Sequence, residues 1–183
     1  ILTNNITEQA VSLYGVEQLQ FDNATASLST TVTGEFLVNT VTSYGQYSPT
    51  TTTLRDGDFV IAWESYYQES NVDGYGIYAR LYDTNGNNTG AEFQVNTQIS
   101  GSQQEPSITA LADGGFAITW MSSGQDGDSY GIYAQIYDAN GDKVGSEFQV
   151  NTYTTAWQYG SSITELAGGG FAITWHSNEQ DGD

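Results

Sequence analysis

The sequence predicts an all-β protein built from tandem four-stranded antiparallel sheets that are arranged like the blades of a propeller. The first observation behind this is an internal repeat: the pattern Glu-Phe-x-Val-Asn-Thr occurs at 35–40, 92–97 and 147–152, with steps of 57 and 55 residues. The second is that Trp63, Trp120 and Trp175 keep the same steps. One supersecondary unit is therefore encoded three times, and a stack of β-sandwich sheets is the alternative architecture.

The middle copy shows how each unit divides into strands, because its apolar runs alternate with period two and end in turn residues. The four expected strands are one at 107–111, one beginning at Phe116, one at 130–138 and one at 144–151. Segments 112–115 and 138–142 contain the Asp, Asn and Gly residues that tight hairpin turns require. We expect Phe148 and Val150 in the fourth strand to point into the core.

The repeat divides the chain into four segments. They are a non-repeat N-terminal segment at 1–34, repeat 1 at 35–90, repeat 2 at 91–146 and a truncated repeat 3 at 147–183. Propellers need at least about four blades, and repeat arrays bury their end faces. We therefore expect the chain to be part of a longer protein or of an assembly, with other repeats or protomers of the same protein as partners.

The composition is strongly acidic, with 22 Asp and Glu against 3 Lys and Arg and a net charge of −19. Such a surface repels phosphate backbones and anionic bilayers and attracts cations, so we expect neither nucleic acid binding nor membrane insertion. Hydrophobic residues make up 38% of the chain and aromatic residues 13%, which is enough for a folded core. The absence of cysteine excludes disulfides and thiolate metal sites.

Two sets of residues carry a resemblance to a known family. Residues 15–28 resemble the segment that often follows the calcium-binding nonapeptide arrays of bacterial RTX, or hemolysin-type, proteins. The repeat words at 34–36, 112–116, 131–135 and 138–141 resemble a tandem repeat of the same large proteins. The resemblance implies a secreted bacterial protein located extracellularly or at the cell surface, with the repeats as a structural and adhesive scaffold. The glycine-aspartate nonapeptide itself is absent, so the resemblance assigns no calcium ligand.

Calcium binding is instead predicted from paired oxygen side chains in one loop of each unit. These candidate ligands are Asn71 and Asp73, Asp126 and Asp128, and Asp181 and Asp183. Calcium takes several oxygen ligands at about 2.4 Å, and bound calcium would stiffen these loops. The alternative is that Asp, Asn and Gly fill solvated turns by bonding to their own backbone.

Aromatic residues in the connections between copies are candidates for binding surface glycans, because a sugar ring can pack on an aromatic face. They are Tyr44 and Tyr47 in the first connection and Tyr153, Trp157 and Tyr159 in the last. The alternative is that these side chains pack between the units.

Catalytic residues are not evident in the sequence. The single histidine, His176, excludes a multi-histidine zinc site. Glu64 and Glu69 could in principle serve glycoside hydrolysis, but a solvated strand end explains Glu64 more simply. The sequence therefore predicts a structural and adhesive module that is not an enzyme. The alternative is a glycan-binding, lectin-like module or an accessory domain of a secreted glycan-active enzyme.

Overall fold

The computed structural model describes residues 10–13, 16–20, 36–68 and 74–182, the first two of these ranges by their backbone alone. All of its regular elements in these ranges are β-strands. In chain order they are β1 (Ala10–Leu13), β2 (Val16–Gln20), β3 (Gln46–Thr53), β4 (Phe59–Tyr66), β5 (Tyr75–Tyr82), β6 (Phe93–Gln94), β7 (Gln103–Ala110), β8 (Phe116–Ser123), β9 (Tyr130–Tyr137), β10 (Lys143–Gln149), β11 (Gln158–Glu165) and β12 (Phe171–Ser177). Among the residues searched, there is no helix long and apolar enough to cross a membrane.

The strands form sheets in which neighbours along the chain are neighbours in space. Blade 1 is the four-stranded sheet β3-β4-β5-β6, and blade 2 is the equivalent sheet β7-β8-β9-β10. Blade 3 consists of β11 and β12, which correspond to the first two strands of the other blades. All pairings between these strands are antiparallel, and β1 and β2 form a separate two-stranded sheet. The four-stranded antiparallel units predicted from the repeat are confirmed.

The first strands of the three blades, β3, β7 and β11, lie side by side. Side-chain hydroxyls connect them: Thr52 Oγ1 accepts a hydrogen bond of 3.2 Å from the Ala110 N–H, and Thr109 Oγ1 accepts one of 3.2 Å from the Glu165 N–H. The blades therefore meet along their innermost strands, as in a propeller, and the propeller-like arrangement is preferred to a stacked sandwich.

The main core lies between blade 1 and blade 2. Blade 1 contributes small and branched side chains such as Val60, Ala62 and Ile77, and blade 2 packs Ile118 and Trp120 against them. A smaller cluster joins blades 2 and 3. The strands β4, β5, β8 and β9 are almost continuously buried, and in blade 2 this is because blade 1 covers one face of the sheet and blade 3 the other.

Phe148 departs from the prediction that it points into the core, since it is 37% exposed. Its counterpart in blade 1, Phe93, packs on the ring of Tyr137, with ring centroids 5.4 Å apart. Tyr137 belongs to the third strand of the next blade, and the described part of blade 3 has two strands. Phe148 is therefore exposed because the described part of blade 3 has no third strand to cover it, and not because its register differs from that of Phe93.

A repeated pair of amides closes each connection between blades. Asn96 Oδ1 accepts a hydrogen bond of 2.8 Å from the Ile77 N–H, and Asn96 Nδ2 donates one of 3.0 Å to Gln103 Oε1. Gln103 Nε2 in turn donates to the Ser100 carbonyl at 3.1 Å. The equivalent pairs Asn39–Gln46 and Asn151–Gln158 make the corresponding contact at 3.2 and 3.3 Å. The Asn of the repeated hexapeptide therefore fixes the start of the following blade.

Candidate functional site

The candidate site lies at the end of the blades where the first strands begin and the second strands finish. We call this end the loop face; it comprises residues 41–48, 98–105 and 153–160 with residues 67–68, 124–129 and 178–182, which follow β4, β8 and β12. In blade 1, Tyr47 lies opposite Glu64 in the β3–β4 ladder, and in blade 3 Tyr159 lies opposite His176. The same register thus brings polar and aromatic side chains together in two blades.

Five tyrosines of blade 1 form a continuous cluster on the loop face. We call Tyr44, Tyr47, Tyr66, Tyr67 and Tyr75 the tyrosine cluster. Successive ring centroids are 5.3 Å apart for Tyr44–Tyr67, 4.8 Å for Tyr66–Tyr67, 4.8 Å for Tyr66–Tyr75 and 6.1 Å for Tyr47–Tyr75. Tyr44 is 66% exposed, and Tyr47 and Tyr67 are also exposed. The cluster therefore presents a broad aromatic surface to solvent.

Two members of the tyrosine cluster have backbone conformations that favour glycine. Tyr44 has φ 64° and Tyr67 has φ 58°, whereas the equivalent positions of blade 2 are Gly101, with φ 76°, and Gly124, with φ 69°. A bulky residue in this region costs about 1–3 kcal/mol and is concentrated at functional sites. Blade 1 therefore has strained tyrosines where the same fold is built in blade 2 with glycine.

Two glutamates join blades 1 and 2 at the loop face. Glu64 is only 6% exposed, and its Oε2 accepts a hydrogen bond of 2.9 Å from the Glu105 N–H. Burial is the main cause that raises the pKa of the Glu64 carboxyl, and the nearby charge of Glu105 adds to it. The interpretation of Glu64 as a solvated strand end is wrong, because blade 2 packs over it. Glu69 lies outside the described residues.

Glu105 is exposed and sits at a β-bulge that recurs in every blade. It has φ 55°, its equivalents Ser48 and Gly160 have φ 50° and 63°, and the ladder register shifts at each of the three positions. Glu105 Oε2 accepts a hydrogen bond of 3.0 Å from the Gly160 N–H of blade 3. The bulge therefore directs the carboxylate of blade 2 toward the backbone of the next blade.

Blade 3 contributes a second group of aromatic residues. Tyr159 stacks on His176 with ring centroids 5.1 Å apart, and the Tyr153 hydroxyl donates to the Glu179 carbonyl at 3.1 Å. Trp157 is 53% exposed and packs edge-on against Tyr130 of blade 2 at 5.2 Å. Of the predicted ligand-binding residues, Tyr44 and Tyr47 thus share the tyrosine cluster, and the other three line the loop face of blade 3.

A pocket of about 200 Å³ has Tyr47 in its wall together with residues outside the tyrosine cluster. Its walls include Ile61 and Trp63. Their counterparts in blade 2, Ile118 and Trp120, are fully buried in the core shared with blade 1. The pocket is therefore on the face of blade 1 that corresponds to a blade-packing face.

The predicted calcium loop of the middle copy has its carboxylates engaged with N–H groups. Asp126 Oδ2 accepts from Asn151 Nδ2 at 3.1 Å, and Asp128 Oδ2 accepts from the Ala156 N–H at 2.9 Å. The hydrogen bond from Ala156 is the main cause that lowers the pKa of Asp128. Within the described ranges, no group of three or more His, Asp or Glu side chains comes together as a metal site. Calcium usually takes about six to eight oxygen ligands.

The remaining predicted calcium ligands do not complete this picture. Asp181 is exposed, and Asn71, Asp73 and Asp183 lie outside the described residues. Asp128 also makes a turn bond, since its Oδ1 accepts from the Ser129 N–H at 2.8 Å, so the loop combines local bonds with bonds to Asn151 and Ala156. Calcium binding by the chain stays a prediction.

The comparisons with known proteins find similarity at the level of the fold. No family model matches the sequence, and no curated protein matches it. The chain is similar to the crystal structure of an endo-arabinase from Bacteroides thetaiotaomicron, with 16% identity over 77% of this chain and 55% of that one and a TM-score of 0.53. It is also similar to a thermostable family-43 glycoside hydrolase, with 11% identity over 73% of this chain and 49% of that one and a TM-score of 0.49. The chain spans about half the length of these solved chains.

The likeness to the endo-arabinase agrees with the propeller-like fold and corrects one prediction. The sequence predicted a protein that is not an enzyme, and this prediction is contradicted by the likeness of the fold to that of a solved endo-arabinase. At this identity the likeness shows the fold alone. The resemblance to RTX repeats stays a prediction, as does secretion.

Proposed function

We propose that the chain is the propeller part of a secreted glycan-active protein and binds a glycan at its loop face. The tyrosine cluster supports this most directly, since Tyr44 and Tyr67 keep a left-handed backbone conformation at positions where blade 2 has glycine, which adopts it without strain. Aromatic rings offer an apolar face for the C–H face of a sugar and, in tyrosine, a hydroxyl for hydrogen bonding. The fold shared with an endo-arabinase supports a glycan as the ligand class.

The test replaces the strained tyrosines by the residues that blade 2 has. Tyr44→Gly with Tyr67→Gly removes two rings and the backbone strain together, so the fold is retained. We expect the variant to lose at least about tenfold in affinity for a neutral polysaccharide such as arabinan, measured by calorimetry or affinity electrophoresis. Leu166→Gly is the control, because Leu166 is an exposed apolar residue in the β11–β12 turn, at the opposite end of blade 3 from the loop face. Unchanged binding in the double variant would contradict the proposal.

A second candidate function is hydrolysis of a glycosidic bond at Glu64 and Glu105. Glycoside hydrolysis uses one carboxyl group as a proton donor and a second carboxylate as base or nucleophile. Burial favours the protonated form of Glu64, which suits a proton donor. Glu105 is exposed and lies next to Glu64 across the boundary between blades 1 and 2, so its carboxylate would be the base or nucleophile. The tyrosine cluster adjoins this pair because Tyr47 lies opposite Glu64.

Hydrolysis is tested by the release of reducing ends from neutral polysaccharides. We expect Glu64→Gln and Glu105→Gln each to reduce the rate by at least about a hundredfold, as expected for loss of a proton-transfer group. The two amides keep size and hydrogen-bonding oxygen. Equal rates in the wild type and in both variants would contradict this assignment and leave glycan binding as the function.

A further inference from the structure

The backbone hydrogen bond at Trp157 is the same in all three blades, whereas the side chain at this position differs from blade to blade. The Trp157 carbonyl accepts a hydrogen bond of 2.9 Å from the Asn178 N–H, and the equivalent carbonyls of Gly45 and Ser102 accept the same bond at 3.0 and 2.9 Å. The three blades thus place Gly, Ser and Trp on the same backbone. Because two blades form this connection without a large side chain, the indole ring of Trp157 is not needed for the fold.

The segment that carries Trp157 is held on both sides. Gln158, fully buried, accepts from Asn151 Nδ2 at 3.3 Å and donates to the Thr155 carbonyl at 2.9 Å. On the other side Ala156 has φ 61° and donates its N–H to Asp128 Oδ2. Asp128 and Gln158 therefore hold the backbone on both sides of Trp157, so this segment loses little conformational entropy when a ligand binds.

The Trp157 ring also has a fixed neighbour. Tyr130 of blade 2 lies 5.2 Å from it at an interplanar angle of 60°, and the two residues form a parallel bridge. This contact leaves 53% of Trp157 exposed. An indole supported at its edge and open to solvent is a stacking surface for a ring-shaped ligand with an apolar face.

We propose that Trp157 and Tyr130 form a second sugar-stacking subsite, separate from the tyrosine cluster, so that the loop face binds an oligosaccharide across blades 1 to 3. This inference rests on the proposed glycan binding. It deepens that function because it defines the ligand as a chain of several sugars. A short ligand fills the tyrosine cluster of blade 1, and a longer one also reaches blade 3.

The test compares Trp157→Ser with the wild type on neutral disaccharides, tetrasaccharides and octasaccharides of arabinose, xylose or glucose. Serine is the residue of blade 2 at this position, so the backbone bonds are kept. We expect the affinity for disaccharides to be unchanged and the affinity for octasaccharides to fall by about tenfold, as for the loss of one aromatic anchor. Trp157→Phe keeps a stacking ring and is expected to restore most of the affinity.

Val144→Ser is the matched control, because Val144 is similarly exposed and lies on the outer strand of blade 2. The inference is overturned if octasaccharides bind and Trp157→Ser weakens them no more than Val144→Ser does. It is also overturned if the loss is equal for all ligand lengths. No binding of any oligosaccharide by the wild type would overturn the inference and the proposed glycan binding together.

Discussion

Glu64 Oε2 in blade 1 accepts a hydrogen bond of 2.9 Å from the Glu105 N–H in blade 2, at a boundary where Glu64 is almost completely buried. The bond satisfies one oxygen of the carboxylate, and the Ser48 hydroxyl also favours its charged form. Burial nevertheless outweighs both and raises the pKa above the ordinary value of 4.5. A buried carboxyl that prefers its proton makes the junction between two blades sensitive to pH.

The first prediction concerns the pH dependence that Glu64 confers. Since its folded pKa is raised, the folded state holds the proton more tightly than the unfolded state, and stability falls as the pH rises from 4.5 through the folded pKa. Glu64→Gln removes this ionisation and keeps an acceptor oxygen. We expect denaturant unfolding to show a flatter pH profile in this window and a stability at pH 7 equal to or above that of the wild type. A steeper profile in the variant would contradict the role of burial.

The second prediction concerns the amide pair between blades. Gln103→Ala removes one of the two acceptors of Asn96 Nδ2 in a buried site, the other being the Gln98 carbonyl at 2.8 Å, and the lost hydrogen bond costs about 0.5–1.5 kcal/mol of unfolding free energy. Gln46→Ala makes the same change in a half-buried site and is expected to cost less. Chemical denaturation of the two variants measures the difference. An equal loss would show that burial does not set the size of the effect.

The third prediction concerns Asp128, whose pKa is lowered mainly by the N–H of Ala156. A depressed folded pKa stabilises the ionised form, so the contribution is present above the unfolded value of 3.8 and is lost as the pH falls through the folded pKa. We expect Asp128→Asn to speed hydrogen exchange at Ala156 at neutral pH, because the amide is a weaker acceptor. Exchange measured with and without millimolar calcium also tests the metal prediction, since protection that rises with calcium would support a bound ion.

The fourth prediction concerns the charge of the glycan. The chain has 3 Lys and Arg, and each is engaged away from the tyrosine cluster: Arg55 with Glu165, Arg80 with the Val38 carbonyl and Lys143 with the Val95 carbonyl. The carboxylates of the loop face therefore repel an anionic glycan, and none of these three basic side chains offsets that repulsion. We expect neutral arabinan or xylan to bind and polygalacturonate not to bind at low salt. Preference for the anionic polymer would refute the charge argument.

The strands of this fold could be predicted from the sequence because period-two alternation and turn residues are local signals. The hairpin at Ala112–Gly115 and the face shared by Phe116, Ile118 and Trp120 follow from such signals. The radial arrangement could not be predicted in the same way, because alternation does not state which strand is innermost. That arrangement depends on contacts such as Thr52 with Ala110, which join residues far apart in the chain.

The burial of Glu64 and the backbone conformation of Tyr44 were missed by sequence reasoning, although both left a signal in the comparison of the copies. Met121 stands where blade 1 has Glu64, and an apolar counterpart indicates a covered position. Gly101 stands where blade 1 has Tyr44, and a glycine counterpart indicates a left-handed backbone. Both signals are visible in the aligned copies, and both require reading a residue through its counterpart in another blade.

The engagement of the basic side chains has a consequence for solubility. Arg80 and Lys143 donate to backbone carbonyls, which do not take up protons in mild acid, so these contacts persist when carboxylates become neutral. Near the isoelectric point of about 4.1 the electrostatic repulsion between molecules disappears, while these two hydrogen bonds are kept. Precipitation at that pH should therefore collect folded protein that redissolves on return to neutrality.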